Sequence, residues 1–250
     1  MRESWHGPYT RHSNHHKGSE KFIRIIVTAG PTQEPIDPVR FISNRSTGYM
    51  GYKIAEEALK RKHKVILISG PVNIRPPKAD KLIFIQTADG LLKALKKEIK
   101  SADCLIMCAA VSDFKVKNIS AKKIKRKGRI KLKLIPNKDI LKELVRYKRH
   151  KLFIGFNLET SNLVRNAKLK LRAKKLDMIV ANRLTKYHNP FGNNKLDVDI
   201  IDKNPRVTKI RQKDKAFIAH VLLDKIEELW YEIKKQGSFG AYNAPIRRIV

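Results

Sequence analysis

Short runs of apolar residues recur along the chain, and segments with a helical spacing of apolar side chains lie between them. The first run, residues 21–29, is almost continuously apolar, which is typical of a strand buried on both faces of a parallel sheet. Similar runs predict strands at residues 64–69, 82–86, 104–109, 152–156 and 178–181. Apolar residues three and four positions apart predict helices that begin near residue 48 and span residues 89–100, 138–147, 162–175 and 215–233.

Strands that alternate with helices at this interval predict a parallel sheet with right-handed crossovers. We therefore expect an α/β fold with a Rossmann-like, doubly wound and mostly parallel sheet. Residues 196–201 and 207–211 flank a short turn and predict a closing β-hairpin. No internal repeat or long linker divides the chain, which indicates one domain at residues 21–235 between tails at residues 1–20 and 236–250.

A basic arm at residues 115–134 interrupts this pattern. It carries ten basic residues and no acidic ones. Within it, residues 129–134 alternate charged and apolar side chains, which predicts a half-exposed antiparallel strand paired with residues 113–117. Because an exposed strand edge has to be covered, we expect this antiparallel arm to join two copies of the chain into a homodimer.

An unusually long loop separates the first strand from the first helix. The strand pattern ends at Gly30 and the helical pattern begins near Gly48, whereas connections in α/β units usually have about two to six residues. Such loops are either functional or disordered, and three prolines together with several apolar residues favour an ordered loop. We therefore expect a ligand-binding loop at the carboxyl end of a central strand, with Ser46 or Thr47 as the cap of the helix.

The composition favours an anionic partner and a reducing compartment. The chain has 55 Lys and Arg against 23 Asp and Glu, a net charge of +32 that suits a polynucleotide or a phosphorylated small molecule. Lysine is spread over every helix, so the charge alone does not decide between them. Cys104 and Cys108 are expected on one face of one strand as buried apolar residues. No apolar run approaches the roughly eighteen residues of a membrane span, and we expect a cytoplasmic protein.

The amino-terminal tail carries His12, His15 and His16, which could bind a metal. A disordered tail is the simpler interpretation of these residues.

The loop after the first strand excludes the common nucleotide motifs. No Gly-x-Gly-x-x-Gly follows this strand and the chain has no Gly-Lys-Ser/Thr loop, so hydride transfer to NAD is not expected. Residues 46–48, at a helix start, offer backbone N–H groups to a phosphate, unless they form only an ordinary cap. Arg40 can clamp a carboxylate or phosphate and Asn44 can hydrogen-bond an amide or acyl oxygen, although isolated residues of these types in a polar loop are more often structural.

Several blocks of residues complete this loop and follow it in a fixed order. The longest is GPTQEPIDPVRFISN at residues 30–44, followed by STG at 46–48 and MG at 50–51. Further blocks are CAAVSDF at 108–114, KIK at 123–125, NKDI at 137–140, GF at 155–156 with ET at 159–160, Ala167 with Lys170 and Lys174, and Asp177 with Ala181 and Asn182. Together they closely resemble the signature of bacterial phosphopantothenate–cysteine ligase, also called phosphopantothenoylcysteine synthetase, over about residues 21–232.

This resemblance implies an enzyme of coenzyme A biosynthesis that joins 4′-phosphopantothenate to L-cysteine. The family uses CTP and Mg²⁺ to convert the carboxylate into an acyl-cytidylate with release of pyrophosphate, and the amine of cysteine then displaces CMP. A basic chain suits this chemistry, because a triphosphate and a phosphorylated substrate have to be held together against their repulsion. The implied partners are these small molecules and a second copy of the chain, with no membrane and no nucleic acid.

The resemblance also implies roles for single residues. Asn44 matches an asparagine that serves the acyl-cytidylate, and Arg40 matches an arginine of the same substrate loop. Lys123 matches the lysine of a mobile flap, here part of residues 115–134, that closes over the nucleotide and offsets charge at the α-phosphate. The implied nucleotide-binding positions are Ala109, Ala110, Asp113, Lys123, Lys138, Asp139, Ile140, Leu141, Phe156, Lys170 and Lys174, whereas the Mg²⁺ ligands are not implied.

The chain departs from many relatives in extent and at two positions. It resembles only the ligase half, without the flavin-dependent decarboxylase domain, so decarboxylation is expected to fall to another protein. Tyr49 stands where many relatives have lysine, and Asn157 stands where they have a small apolar residue, which affects details of substrate contact. Eukaryotic relatives use ATP, but the blocks are of the bacterial kind and favour CTP.

A basic nucleic-acid-binding protein is the competing function. Residues 115–133 would then contact RNA or DNA through their positive charge. Phe114 is the single aromatic residue at the edge of this arm, which therefore lacks a stacking platform for single strands. We therefore favour the ligase.

Overall fold

A central sheet of eight strands organises the structure of the protein, a computed structural model that describes residues 22–126, 128–185, 190–204 and 206–242. The strands are β1 (Arg24–Ala29), β2 (Gln33–Pro35), β3 (Phe41–Ser43), β4 (Lys64–Ser69), β5 (Lys81–Phe84), β6 (Cys104–Met107), β7 (Phe114–Val116), β8 (Leu134–Pro136), β9 (Leu152–Glu159), β10 (Met178–Arg183), β11 (Leu196–Asp202) and β12 (Val207–Lys213). The helices are α1 (Tyr49–Lys60), α2 (Ala88–Glu98), α3 (Ile140–Leu144) with a 3-10 helix at Val145–Tyr147, α4 (Leu163–Ala173) and α5 (Lys215–Tyr242).

The order of the strands confirms the predicted fold class. Across the sheet they follow the order β12-β11-β10-β9-β6-β1-β4-β5. The six strands from β10 to β5 pair in parallel, and β11 and β12 form the expected antiparallel hairpin at one edge. The carboxyl ends of the parallel strands therefore meet along one side of the sheet, which is where ligands bind in open α/β sheets.

Two apolar clusters, one on each face of the sheet, explain why the strand sequences are continuously apolar. In β1, Ile25 and Val27 pack into the cluster that holds α1 and α5, whereas Ile26 packs into the cluster that holds α2, α3 and α4. Successive residues of a strand point to opposite faces, so a strand covered on both sides needs apolar residues at every position. Cys104 is buried in the cluster that holds α1 and α5, as predicted, whereas Cys108 lies after the end of β6 and is only partly buried against the same cluster.

The long loop after β1 is ordered, as predicted, but its helix cap differs from the prediction. It folds as the small antiparallel pair β2–β3, in which Glu34 lies opposite Ile42. Neither Ser46 nor Thr47 caps α1. The N-cap is Gly48, with φ 76°, a left-handed conformation that glycine adopts without the strain of a side chain. The Ser46 hydroxyl instead accepts a hydrogen bond from the Gly48 N–H.

The predicted strand at residues 129–134 is wrong in its bounds. The arm pairs Phe114 with Pro136 and Val116 with Leu134, and in the described part of residues 117–133 no further strand forms. A last backbone hydrogen bond joins the Lys117 N–H to the Lys133 carbonyl. The alternating pattern misled because half-exposed strands need a face to pack against, and the single chain gives Ile130 and Leu132 none, since they are 49% and 41% exposed.

The last helix extends further toward the carboxyl end than the sequence predicted. Helix α5 continues to Tyr242, past its predicted end at residue 233 and into the predicted tail at 236–250. The predicted amino-terminal tail with its three histidines lies outside the described residues, as do residues 243–250. Among the described residues, no helix is both long enough and apolar enough to span a membrane.

A close backbone approach positions the long loop against the end of β4. A Cβ atom on Gly70 would lie 1.8 Å from the Pro31 carbonyl oxygen, so only glycine fits there. We expect Gly70→Ala to lower the free energy of unfolding in urea by about 2 kcal/mol or more, because backbone rather than a flexible side chain would have to move.

Gly90→Ala is the matched control for this substitution. Gly90 lies in the first turn of α2, where the nearest atom to an added Cβ is the Thr87 hydroxyl oxygen at 3.4 Å. Alanine is the better helix former, so this variant should gain about 0.5 kcal/mol. Equal effects of the two substitutions would contradict the close approach at Gly70.

Candidate active site

Two buried threonine hydroxyls connect the end of β1 and the loop after it to the segment after β6. The Thr28 hydroxyl oxygen accepts hydrogen bonds from the Cys108 and Ala109 N–H groups, at 3.1 and 3.0 Å. The Thr32 hydroxyl oxygen accepts one from the Ser112 N–H at 2.9 Å. Both threonines are 0% exposed, so these bonds are shielded from water. They fix the two polypeptide segments side by side at the carboxyl end of the sheet.

A large cleft of about 870 Å³ opens beside these segments. The ends of β6 and β9, the start of α3 and one face of α4 form its walls. It is lined by nearly all the residues to which the family resemblance gave a role, and of these only Arg40 and Lys123 are absent from its lining. Those that line it are Asn44, Ala109, Ala110, Asp113, Lys138, Asp139, Ile140, Leu141, Phe156, Lys170 and Lys174.

Asn44 lies where the long loop meets the cleft. Its Nδ2 donates to the carbonyl oxygens of Ala110 and Val111, at 3.2 and 3.0 Å. Since the amide nitrogen has both hydrogens engaged, these bonds fix the plane and orientation of the side chain. Asn44 is exposed to the cleft, next to the backbone of Ala110.

Arg40 does not reach the cleft, because it is bound to Asp37 and to the basic arm. Its Nε donates to Asp37 Oδ2 at 3.0 Å, and one terminal nitrogen donates to the Ile124 carbonyl oxygen at 2.7 Å. The Asp37 carboxylate also accepts from the Ile124 N–H at 3.1 Å. Hydrogen bonds from Arg40 and from backbone N–H groups hold the pKa of Asp37 well below its usual range, against the opposing effect of burial.

This Asp37–Arg40 pair therefore holds the backbone of the arm at the residue that follows Lys123. The Lys123 side chain itself is exposed and does not line the cleft. The sequence placed Arg40 and Lys123 in one site through their resemblance to a family. In the structure they are linked through Ile124, and neither lies against the predicted nucleotide positions.

The lysines of α4 are paired with carboxylates across the cleft. The Lys170 Nζ donates to Glu159 at 2.8 Å, and this hydrogen bond is the main cause of a lowered pKa of Glu159. The Lys174 Nζ lies 3.5 Å from a carboxylate oxygen of Asp139, which also caps α3 through the Lys142 N–H. One helical turn separates the two lysines, so both present a positive charge to the same side of the cleft.

The described residues fit a metal ion that arrives with a nucleotide. Across the described ranges, no three His, Cys, Asp or Glu side chains are grouped to hold a metal. Mg²⁺ usually binds through one or two carboxylates together with substrate phosphates, so it does not need such a group. Asp113 lines the cleft and is exposed, which makes it a suitable carboxylate for that purpose.

A smaller cavity of about 190 Å³ adjoins the cleft, and residues 46–48, which the sequence suggested as a phosphate site, line it. The two share Ala109, Ala110 and Phe156 in their walls. The amino end of α1 forms one side of the small cavity, and Lys215 from α5 lines another. The sequence signal for Lys215 was faint: a lysine stands on the apolar face of α5, three residues before the buried Ile218.

Comparison with known proteins identifies the family of this chain. The family model described as DNA/pantothenate metabolism flavoprotein C-terminal domain matches residues 21–229. The coenzyme A biosynthesis bifunctional protein CoaBC of Bacillus subtilis (strain 168) is 39% identical over 207 residues, which are 82% of this chain and 51% of that protein. A protein of an unknown prokaryotic organism, named cysteine/cysteine sulfinic acid decarboxylase, is 41% identical over 206 residues, which are 81% of this chain and 57% of that protein.

A solved structure agrees with these sequence matches. The C-terminal domain of coenzyme A biosynthesis bifunctional protein CoaBC superposes with a TM-score of 0.72 at 35% identity, covering 84% of this chain and 96% of that one. The chain spans about half the length of the curated relatives it matches. On its sequence and its fold, the chain belongs to the family of the DNA/pantothenate metabolism flavoprotein C-terminal domain.

Proposed function

We propose that this chain is a phosphopantothenate–cysteine ligase that uses CTP. The observation that carries the proposal is the large cleft, which brings together residues from four separate parts of the sequence that the family resemblance marks as nucleotide-binding. Similarity to CoaBC, whose name assigns that protein to coenzyme A biosynthesis, supports the same pathway for this chain. The name cysteine/cysteine sulfinic acid decarboxylase belongs to the other relative, and this chain covers 57% of that protein, so the name does not assign a reaction to this chain.

The reaction has two steps, in each of which one bond forms as another breaks. In the first, an oxygen of the phosphopantothenate carboxylate attacks the α-phosphorus of CTP and the bond to the bridging oxygen breaks, which releases pyrophosphate. In the second, the amine nitrogen of cysteine attacks the acyl carbon, CMP leaves with the bonding electron pair, and the nitrogen loses a proton. The products are phosphopantothenoylcysteine, CMP and pyrophosphate.

Asn44 is the residue that meets the acyl group in this proposal. The carbonyls of Ala110 and Val111 hold its amide in one orientation, so it presents its side chain to the acyl-cytidylate without further reorganisation. Because both amide hydrogens are engaged, the free atom is the acceptor Oδ1, which can take a hydrogen bond from the amine of cysteine as that nitrogen attacks the acyl carbon. Ala109 and Ala110, with no bulky side chain, leave room for the substrate at this junction of the two cavities.

Lys170 and Lys174 bind the triphosphate in this proposal. Each is paired with an acidic side chain, Glu159 or Asp139, through contacts that are partly exposed. Exposed ion pairs contribute little, so the lysines exchange these partners for phosphate oxygens at small cost. Bound Mg²⁺ neutralises part of the triphosphate charge, with Asp113 as the carboxylate that the cleft offers to it.

The basic arm supplies Lys123, and the Asp37–Arg40 pair keeps its backbone at the edge of the site. We assign Arg40 this holding role in place of the substrate contact that the family resemblance implied, because its donors are engaged by Asp37 and Ile124. A short movement of the arm would carry Lys123 toward the α-phosphate, where its charge offsets the charge of the transition state.

The CTP requirement gives the first test of this function. Purified protein incubated with 4′-phosphopantothenate, L-cysteine, Mg²⁺ and CTP should release pyrophosphate and form phosphopantothenoylcysteine, measured by coupled pyrophosphate assay and mass spectrometry. ATP in place of CTP should give much slower release. If neither nucleotide yields pyrophosphate, and the protein instead binds polynucleotides in a salt-sensitive way, the ligase proposal is wrong and the nucleic-acid function is favoured.

The role of Lys123 is tested against another exposed lysine of the same arm. Lys123→Ala should lower kcat by about a hundredfold, as expected for loss of one group that stabilises transition-state charge. Lys131→Ala removes the same charge from an exposed position and should change kcat little. Similar losses in the two variants would mean that the arm acts only through its total charge.

A homodimer formed through the basic arm is also part of the proposal. Ile119, Ile130 and Leu132 are 56%, 49% and 41% exposed, which leaves apolar side chains uncovered beside β7 and β8. Light scattering at micromolar concentration should give the mass of a dimer for the wild type and of a monomer for the double variant Ile130→Glu, Leu132→Glu. A monomeric wild type would contradict the arm as a dimer contact.

A further inference from the structure

Lys215 is a buried ammonium group without an acidic partner among the described residues. It begins α5 and is 3% exposed. Its Nζ donates to the carbonyl oxygens of Pro190, at 2.9 Å, and Gly192, and lies 5.6 Å from the centre of the Tyr49 ring. Within the described ranges, no carboxylate forms an ion pair with Lys215, whereas Lys170 and Lys174 of the large cleft each have one.

A buried charge of this kind is costly unless a ligand or partner of opposite sign completes its surroundings. Burial lowers the pKa of Lys215 to about 8, which shows how strongly this environment disfavours the charged form. Helix α5 otherwise presents apolar residues to the core here, with Ile218 fully buried one turn later. Leucine or methionine would pack on this face without the cost of burying a charge. A lysine at this position therefore indicates an anionic ligand.

The small cavity supplies further groups for a ligand at the same place. The amino end of α1 lies in its wall, where the first turn of a helix of twelve residues leaves backbone N–H groups unpaired. Two buried side-chain atoms in its lining, Nδ2 of Asn157 and Oδ1 of Asn182, have no hydrogen-bond partner in the described structure. Asn157 is 5% exposed. The cavity therefore combines an unused donor, an unused acceptor, a helix amino end and a cation.

The remaining walls of the small cavity are apolar. They suit the branched hydrocarbon part of a pantothenate chain, whose hydroxyl group would meet the unused acceptor. The cavity joins the large cleft through Ala109, Ala110 and Phe156, so one extended substrate can occupy both. The apolar residues that line it are Met50, Val180, Phe191, Leu196, Val198 and Ile218.

We propose that Lys215 recognises the phosphate of the acyl substrate and sets the preference of the enzyme for the phosphorylated over the unphosphorylated acid. This inference rests on the proposed function, because it takes phosphopantothenate as the acyl substrate. With the carboxylate beside Asn44 in the cleft, the other end of the molecule reaches the small cavity. There the ammonium group of Lys215 and the first turn of α1 share the charge of the phosphate.

Binding of two ligands that differ only in the phosphate tests this role. Calorimetry with α,β-methylene-CTP present, and without cysteine, should show Lys215→Met binding 4′-phosphopantothenate about ten- to a hundredfold more weakly than the wild type. Affinity for pantothenate should stay the same. Lys213→Met is the matched control. Lys213 is exposed, and its Nζ lies 5.1 Å from the centre of the Phe217 ring. This substitution should leave both affinities unchanged.

Two results would overturn the inference. Equal weakening of both ligands would mean that Lys215 acts only by holding the loop at Pro190 and Gly192. Unchanged discrimination between the ligands would mean that the phosphate lies elsewhere. The melting temperature of Lys215→Met should not fall, since methionine removes a buried charge, and a large fall would also indicate the structural role.

The pH dependence of binding gives a second readout that a structural role would not produce. As pH rises through about 8, Lys215 loses its proton and the wild type should bind phosphopantothenate more weakly. Lys215→Arg stays charged and should bind with no such loss up to pH 9. The other described titratable groups that face Lys215 are Tyr49 and Cys108, which are present in both proteins, and burial raises the pKa of the Cys108 thiol to about 12.

Failure of this inference is distinguishable from failure of the proposed function. Pyrophosphate release by the wild type with unchanged ligand discrimination in Lys215→Met would sink the inference alone. Discrimination that depends on Lys215 in a protein that never releases pyrophosphate would sink the ligase reaction alone.

Discussion

The site depends on the hydrogen bonds that join the end of β1 and the loop after it to the segment after β6. Parallel strands bring their carboxyl ends to the same edge of a sheet, but they do not by themselves fix the loops that follow. Here the hydroxyls of Thr28 and Thr32, buried and inaccessible to water, accept backbone N–H groups of the neighbouring segment. Asn44 then donates to two carbonyls of that segment. Its orientation therefore follows from the packing of the sheet.

Charge explains how the rest of the site is arranged around this junction. The chain carries a net charge of +32, but its lysines differ in what surrounds them. Lys170 and Lys174 form partly exposed pairs with carboxylates in the cleft, which a bound anion can replace at small cost. Lys215 is buried, and its hydrogen-bond partners are backbone carbonyls. These two environments for lysine match the two anionic groups, a triphosphate and a phosphorylated acid, that the proposed reaction would bring together.

The strands of the sheet could be predicted because the same requirement, burial on both faces, applies to neighbouring residues of each strand and recurs from strand to strand. A strand covered on both faces needs apolar residues at every position, and Ile25, Ile26 and Val27 meet that requirement visibly. The arm was harder, because alternation at residues 129–134 describes a strand only if a second surface covers it, and one chain does not provide that surface. The observed pairing uses Leu134–Pro136 instead.

The candidate site was predictable only in part for a similar reason. Residues such as Asn44 and Lys170 were found through a family resemblance, since nothing in their local pattern separates them from ordinary surface residues. The engagement of Arg40 by Asp37 could not be read from the sequence, because the pair also depends on Ile124, distant along the chain. Lys215 was missed because two tertiary properties distinguish it from other lysines. It is buried, and it has no acidic partner among the described residues.

The most direct test of the central claim is isotope exchange between pyrophosphate and CTP. The proposed ligation requires an acyl-cytidylate that forms reversibly before cysteine reacts. Labelled pyrophosphate should therefore enter CTP when phosphopantothenate and Mg²⁺ are present and cysteine is absent. Exchange that does not depend on phosphopantothenate, or no exchange in a protein that still makes the amide, would contradict the acyl-cytidylate on which this account of the cleft is built.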